Sequence, residues 1–242
     1  MSQVVTITKV SIKGAAPYLG DRDADSSQPI FSKSPNQVME WLCSAWRKRF
    51  NDHRSQRKKY GKDKALIPLG ETVVELTDKQ AREEHSFLKA VPSLVLQSPE
   101  QLEAKEWFAA AKRRKTLKES GRNPGTMPKF KSYKKHDHTF TCWFNGGRNA
   151  RFQKVGRRTG IVSITGTNPR GKKHPGDKGQ RFIVRIHVRL SQDIRPYTSV
   201  RVNWTRKKLV FVNEPLSITP RVSRGQGLSL IHISEPTRLR RI

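Results

Sequence analysis

From Phe87 to Phe140 the chain reads FLKAVPSLVLQSPEQLEAKEWFAAAKRRKTLKESGRNPGTMPKFKSYKKHDHTF. An apolar turn leads into Ser98-Pro99-Glu100-Gln101, a capping pattern that predicts a helix start. The helix places Ala104, Trp107, Phe108 and Ala111 on one face, and Gly121 is its natural stop. Its last turns carry the cations Lys112, Arg113, Arg114 and Lys115. Pro128-Lys129-Phe130-Lys131 then leads into a strand near Phe140. The sequence thus changes here from helical to extended spacing, with a basic connector between.

Working outward from this switch, the N-terminal side is helical as far back as residue 34. Ser34-Pro35-Asn36-Gln37 and Thr77-Asp78-Lys79-Gln80 both carry the capping-box spacing. Val38, Leu42, Ala45, Trp46 and Arg49 fall on one face of a helix that continues to Tyr60. Before it, Val4 to Lys13 alternates apolar and polar residues and reads as a strand. Beyond Gly121, glycine, proline and asparagine multiply and period two takes over. Arg181 to Leu190 is the strongest strand, and Ile161 to Thr165, Ser199 to Trp204 and Leu209 to Val212 are further ones. The last two form a hairpin across Thr205 to Lys208. The order predicts an α+β fold: a small antiparallel barrel or sandwich interrupted early by a helical insertion.

Charge narrows the function. The 242 residues hold 49 Lys or Arg against 20 Asp or Glu, a formal charge of +29. Such an excess attracts polyanions, and nucleic acid is the partner it favours. No apolar run long enough to span a bilayer and no basic amphipathic terminal helix points to a membrane. No secretory signal stands at the N-terminus. Two cysteines, Cys43 and Cys142, make no disulfide framework, so a reduced, cytoplasmic setting is expected.

Between Lys105 and Arg158 sixteen Lys or Arg stand against three acidic residues, Glu106, Glu119 and Asp137. Like charges at that density repel one another, and phosphates relieve the repulsion. The candidate nucleic-acid contacts are Lys112, Arg113, Arg114, Lys115, Lys129, Lys131, Lys134, Lys135, Arg148, Arg151, Lys154, Arg157 and Arg158. Arg185 and Arg189, in a row with His187 on one face of a strand, join them. Tyr133, beside Lys134 and Lys135, is the aromatic best placed to stack on an unpaired base; Trp107, Phe108, Phe140 and Phe144 read as core. Gly166 to Lys172 imitates a phosphate loop, but Lys173 stands where a Ser or Thr would hold magnesium, and no helix follows. His136-Asp137-His138 has no second pair of ligands, so no metal is expected there.

Phe87, Leu88, Lys89, Val91, Ser93, Leu96 and Gln97, then Trp107 and Phe108, then Pro128, Lys129, Phe130 and Lys131 stand in an order that resembles the N-terminal half of TnpB-type proteins. These are transposon-encoded, RNA-guided DNA nucleases related to the type V CRISPR effectors. The likeness runs from about Val4 to Ile218. It implies a wedge-like, OB-like β-barrel interrupted by a helical recognition lobe, with guide RNA and target DNA as partners. On this reading residues 1–33 start the wedge, 34–121 form the recognition lobe and 122–218 complete the barrel. Residues 219–227 lead toward a RuvC-like nuclease domain outside this sequence.

No carboxylate cluster of the RuvC kind and no CxxC zinc ribbon appears. The expectation is therefore a catalytically incomplete, nucleic-acid-binding fragment. It needs no cofactor and no small-molecule substrate, and magnesium belongs to the nuclease half. Leu228 to Ile242, LSLIHISEPTRLRRI, resembles the translation of a sequencing adapter and is expected to be disordered. Two other classes compete: a non-catalytic basic RNA-binding protein such as a ribosome-associated one, and a DNA-binding transposase module.

Overall fold

The computed structural model describes residues 3–4, 7–19, 34–60, 77–134, 136–144, 150–168, 180–214 and 216–217. The expectations for Lys135, Arg148, most of the Gly166–Lys173 loop and residues 219–242 fall outside the described residues. Within them the chain is α+β: a curled antiparallel half-barrel of seven strands and three α-helices. The helices are α1 (Pro35–Tyr60), α2 (Asp78–Glu84) and α3 (Ser93–Glu119). A two-residue ladder joins β1 (Gln3–Val4) to β9 (Leu216–Ser217).

The half-barrel consists of β2 (Ile7–Leu19), β3 (Thr139–Trp143), β4 (Ala150–Gly156), β5 (Thr159–Asn168), β6 (Gln180–Arg189), β7 (Tyr197–Asn203) and β8 (Lys208–Asn213). Their order across the sheet is β3-β7-β8-β2-β6-β5-β4. The long strand β2 is the keystone. Its Ile7–Ser11 half pairs with β8 and its Ser11–Leu19 half with β6, with a bulge between Ile12 and Gly14. A bulge bends and twists a strand, which lets one strand serve two differently inclined sets of partners. The expected hairpin is present, with β7 and β8 joined through Trp204 to Lys207.

Alternation decides which side is core. Val10 and Ile12 of β2, Val162 and Ile164 of β5, Val184, Ile186 and Val188 of β6, and Leu209 and Phe211 of β8 are all buried. Gly160 and Gly166 on β5 are required by close approach: a Cβ at either would lie 2.3 Å from a ring carbon, of Phe152 and Phe182 respectively. Those rings fill the space the glycines leave. The curl then brings β4 back toward β7 and β8. Phe152 meets Phe211 edge-on with ring centroids 5.4 Å apart, Tyr197 meets Phe211 at 4.9 Å, and the Phe152 backbone N–H donates to the Tyr197 hydroxyl at 3.0 Å.

The helices α1 and α3 pack on each other and on β3, and one continuous apolar core links helices to strands. Both expected N-terminal capping boxes form, at Ser34 with Gln37 and at Thr77 with Gln80. The face foreseen for α1 is buried as a whole: Val38, Leu42, Ala45, Trp46 and Arg49 are each at most 5% exposed. The third helix departs from expectation. It begins at Ser93 and runs through Pro99 rather than starting at Ser98. Burial of Leu94, Val95 and Leu96 favours the extra turn and a half despite the lost N–H at Pro99. Ser98 caps nothing. Its hydroxyl accepts from Trp46 Nε1 at 2.8 Å and donates to the Thr141 carbonyl at 2.7 Å, tying α1, α3 and β3 together. The C-terminal stop is as expected: Gly121 has φ +68°, with the Arg122 N–H on the Leu117 carbonyl and the Gly121 N–H on that of Lys118.

Among α3 residues the buried face is Glu103, Ala104, Trp107 and Ala110, while Phe108 is only half-buried. The Glu103 carboxylate is fully buried between Arg54, at 2.6 Å and itself fully buried, and Arg57, also at 2.6 Å. Removing one member of such a group strands buried charge. Glu103→Ala should cost about 3–5 kcal/mol in urea unfolding. Glu106→Ala, whose side chain is 39% exposed, should cost less than about 1 kcal/mol. Equal losses for the two variants would show that burial of Glu103 does not govern the α1–α3 contact.

Candidate nucleic-acid interface

Folding partitions the charge. The seven strands of the half-barrel contain no Asp or Glu, and they carry Lys9, Lys13, Arg151, Lys154, Arg181, Arg185, Arg189, Arg201 and Lys208. The helices hold Glu40, Asp52, Asp78, Glu83, Glu84, Glu100, Glu103, Glu106 and Glu119. Several of these are engaged with helical cations: Asp52 with Lys48, Asp78 with Arg49, and Glu103 with Arg54 and Arg57. Acid is therefore consumed on the helical side, and the sheet is left cationic.

The candidate residues fall into three groups. The first lies on the far end of α3. No residue beyond Ala110 is buried, so the helix continues past the core as an arm carrying Lys112, Arg113, Arg114 and Lys115. Lys112, Arg113 and Lys115 are exposed. Arg114 donates to the Gly125 carbonyl, and Lys115 lies 3.9 Å from Glu119 across one exposed helical turn. A pair of that kind contributes little and leaves Lys115 accessible.

The second group sits in the connector from α3 to β3, and here structure claims more than sequence suggested. The Asn51 side chain brackets the Lys131 backbone, donating to its carbonyl at 3.0 Å and accepting from its N–H at 2.9 Å. Arg54 reaches the Lys129 carbonyl at 3.3 Å. The Lys131 ammonium pairs with Glu106 at 3.1 Å and lies 4.3 Å from the Phe50 ring centroid, so this cation is committed internally. Lys58 stands 4.3 Å from the ring of the exposed Phe130. Lys129 and Lys134 project outward. Tyr133 is 54% exposed, yet its ring already meets the Arg47 guanidinium at 4.8 Å and the His138 imidazole at 4.6 Å. Pro128 to Lys131 is thus a clasp between α1, α3 and the sheet. Phe87 to Ser93 is another, pinned by Arg82, which donates to the carbonyls of Leu88, Lys89 and Val91 and to the Ser93 hydroxyl.

The third group is on the sheet. Arg151 of β4, Arg185 and Arg189 of β6 share the outward face, since their strand neighbours Ala150, Val184, Ile186 and Val188 are buried. Register sets Arg151 against Ser163 and Ser163 against Arg185. Arg157 and Arg158 are exposed in the β4–β5 turn. Lys154 has the opposite parity and reaches Asp193 instead. Lys9, Lys13 and Lys208 lie exposed on the same sheet; the sequence reading passed over them because isolated lysines in strands give no local signal. The His136 imidazole accepts from the Ser132 N–H at 3.0 Å, and Asp137 pairs with Arg206 at 2.7 Å. Among the described residues no three of His, Cys, Asp or Glu gather as metal ligands, and no helix is long and apolar enough to cross a membrane.

Cys43 and His53 on α1 and Cys142 on β3 are strongly perturbed. Burial pushes the Cys43 thiol up to about 12 and holds the Cys142 thiol still higher, so both are inert at neutral pH. His53 is pushed down to about 3, first by burial and then by the neighbouring Arg49 and Arg57. No protein-family model matches the chain, and no curated protein matches it.

His53 is therefore neutral in the fold, while an unfolded histidine gains its proton near pH 6.5. Its contribution is complete above about pH 6.5 and is lost as pH falls toward 3. By linkage this removes about 2 kcal/mol between pH 7 and pH 5. Urea midpoints should drop over that range, and His53→Gln should flatten the drop. An unchanged slope in His53→Gln would show that this imidazole is protonated in the fold.

Proposed function

We propose that this chain grips the backbone of nucleic acid, acting as the wedge-like and recognition portion of a TnpB-type RNA-guided nuclease. The observation that carries the reading is the charge partition: seven strands that contain no Asp or Glu, beside helices where Asp52, Asp78 and Glu103 are already paired. A surface of that kind is repelled by itself and attracted to phosphate, and it reads shape and backbone rather than base sequence. The sequence order from Phe87 to Lys131 adds the family likeness. The antiparallel curl beside a helical unit suits an OB-like wedge with an inserted recognition lobe.

In this reading the α3 arm and the outward face of the sheet hold the guide RNA and the guide–target heteroduplex. The work of the chain is holding. Hydrolysis, with its magnesium ions, belongs to the RuvC-like part of such a nuclease. The alternative of a basic RNA-binding protein of another kind shares the electrostatics but has no call for a heteroduplex preference.

The test is salt dependence. Binding of a labelled RNA–DNA heteroduplex should be tight at low salt and weaken steeply as KCl rises. Arg113, Arg114 and Lys115 replaced together by Ala should flatten the slope of log affinity against log salt by about two to three units, at roughly 0.7 to 0.9 per phosphate contact. Heteroduplex should be preferred to B-form DNA of the same length, because its geometry is A-like. Indifference to nucleic acid at about 50 mM KCl would sink the reading. Equal binding of single-stranded RNA and heteroduplex would favour the alternative.

A further inference from the structure

Strand β2 changes partners at Ser11, and the change leaves a gap. From Ser11 onward β2 has β6 along one side; before Ser11 only β8 accompanies it. Strand β6 ends at Arg189, opposite Ser11, and the chain turns aside through Leu190, whose N–H is held by the Arg158 carbonyl at 2.9 Å. The edge of β2 at Lys9 and Val10 that faces away from β8 therefore has no strand beside it among the described residues. A cleft of about 470 Å³ opens there, lined by Lys9, Val10, Ser11, Arg158, Arg189, Leu190 and Ser191.

Three cations from three separate elements converge on this cleft, and no carboxylate lines it. Lys9, Arg158 and Arg189 are all exposed, and none has a carboxylate partner among the described residues. The nearest acid in sequence, Asp193, is engaged by Lys154. Ser11 and Ser191 add hydroxyls, and the open strand edge adds backbone groups. On the far side of Ser11 the register places Lys208, which continues the cationic row across the sheet. All these groups are mounted on strands and a pinned turn, so their spacing is fixed before any ligand arrives.

We propose that this cleft is a phosphate-binding site that seats one stretch of nucleic-acid backbone and sets its path across the β2–β6 junction. The inference rests on the nucleic-acid reading above and adds a defined anchor to it. Arginine forks suit phosphate oxygens in a bidentate manner, and Lys9 supplies a point charge beside them. The α3 arm then adds affinity from one helix, and the cleft, drawing on three elements, supplies register.

Two measurements on the full 242-residue chain test this. In heteroduplex binding, R158A/R189A should lower the salt slope by about 1.4 to 1.8 units, at roughly 0.7 to 0.9 per contact. The control K79A/K89A, which removes two exposed cations from the helical side, should leave the slope unchanged. Thermal unfolding confirms that the variants are folded; Arg158→Gln serves if the double variant is not. In the wild-type chain, inorganic pyrophosphate should shift the guanidinium NMR signals of Arg158 and Arg189 at lower concentration than those of Arg113. Slope losses matching those of K79A/K89A, with wild-type binding intact, would overturn the cleft and spare the proposed function. Wild-type failure to bind heteroduplex would overturn both. Pyrophosphate shifts no earlier at Arg158 and Arg189 than at Arg113 would also count against the cleft.

Discussion

A single carboxylate holds the helical side together. Glu103 is fully buried, and its two oxygens meet Arg54 and Arg57, each at 2.6 Å. A charge taken out of water at that depth is tolerable only when paired on every side, so the geometry of α1 and α3 follows from it. Arg54 also faces the rings of Phe50 and Trp107 and reaches the Lys129 carbonyl. The carboxylate thus fixes the helix pair, the pair fixes the connector, and the connector delivers the chain to β3. Displacing Glu103 would misplace the first strand beyond the helices as well as loosen a contact.

The same economy explains how a chain of charge +29 folds at all. Several cations around the helices are neutralised internally or stacked on aromatic rings, as Lys131 is by Glu106 and Phe50, and Arg47 by Tyr133. On the sheet Lys9, Lys13, Arg151, Arg189, Arg201 and Lys208 stand exposed, where water and salt screen them. Unrelieved repulsion remains at the α3 arm and at the β2–β6 junction. The two places differ in construction: one is a single helix running past the core, the other a meeting of three separate elements.

Much of this could be read from residue order. Capping boxes at Ser34 and Thr77, the stop at Gly121 and the apolar face of α1 are local signals, and each appears in the fold. Period two gave β5 to β8 their places for the same reason. The start of α3 was misread because Ser-Pro-Glu-Gln imitates a cap perfectly; only the burial of Leu94 to Leu96 reveals that the helix has already begun. The roles of Glu103 and Lys131 were invisible, since an acid buried between arginines forty-odd positions away leaves no periodic trace. Nor could the cleft be foreseen: Lys9, Arg158 and Arg189 meet only because β2 leaves one neighbour and takes another.

That exchange of neighbours has a consequence in time. Strand β2 leaves the ribosome before either of its partners, β6 and β8, which lie about 160 to 205 positions further on. Closing so long a loop is slow, and pairing cannot begin until those strands exist. Throughout that interval β2 offers two open edges and an apolar face, the condition that invites pairing with another nascent chain. Lys9 and Lys13 stand on its other face. Charges flanking an exposed strand act as gatekeepers against such pairing. The lysines that stand exposed on the finished sheet would then guard β2 while it waits.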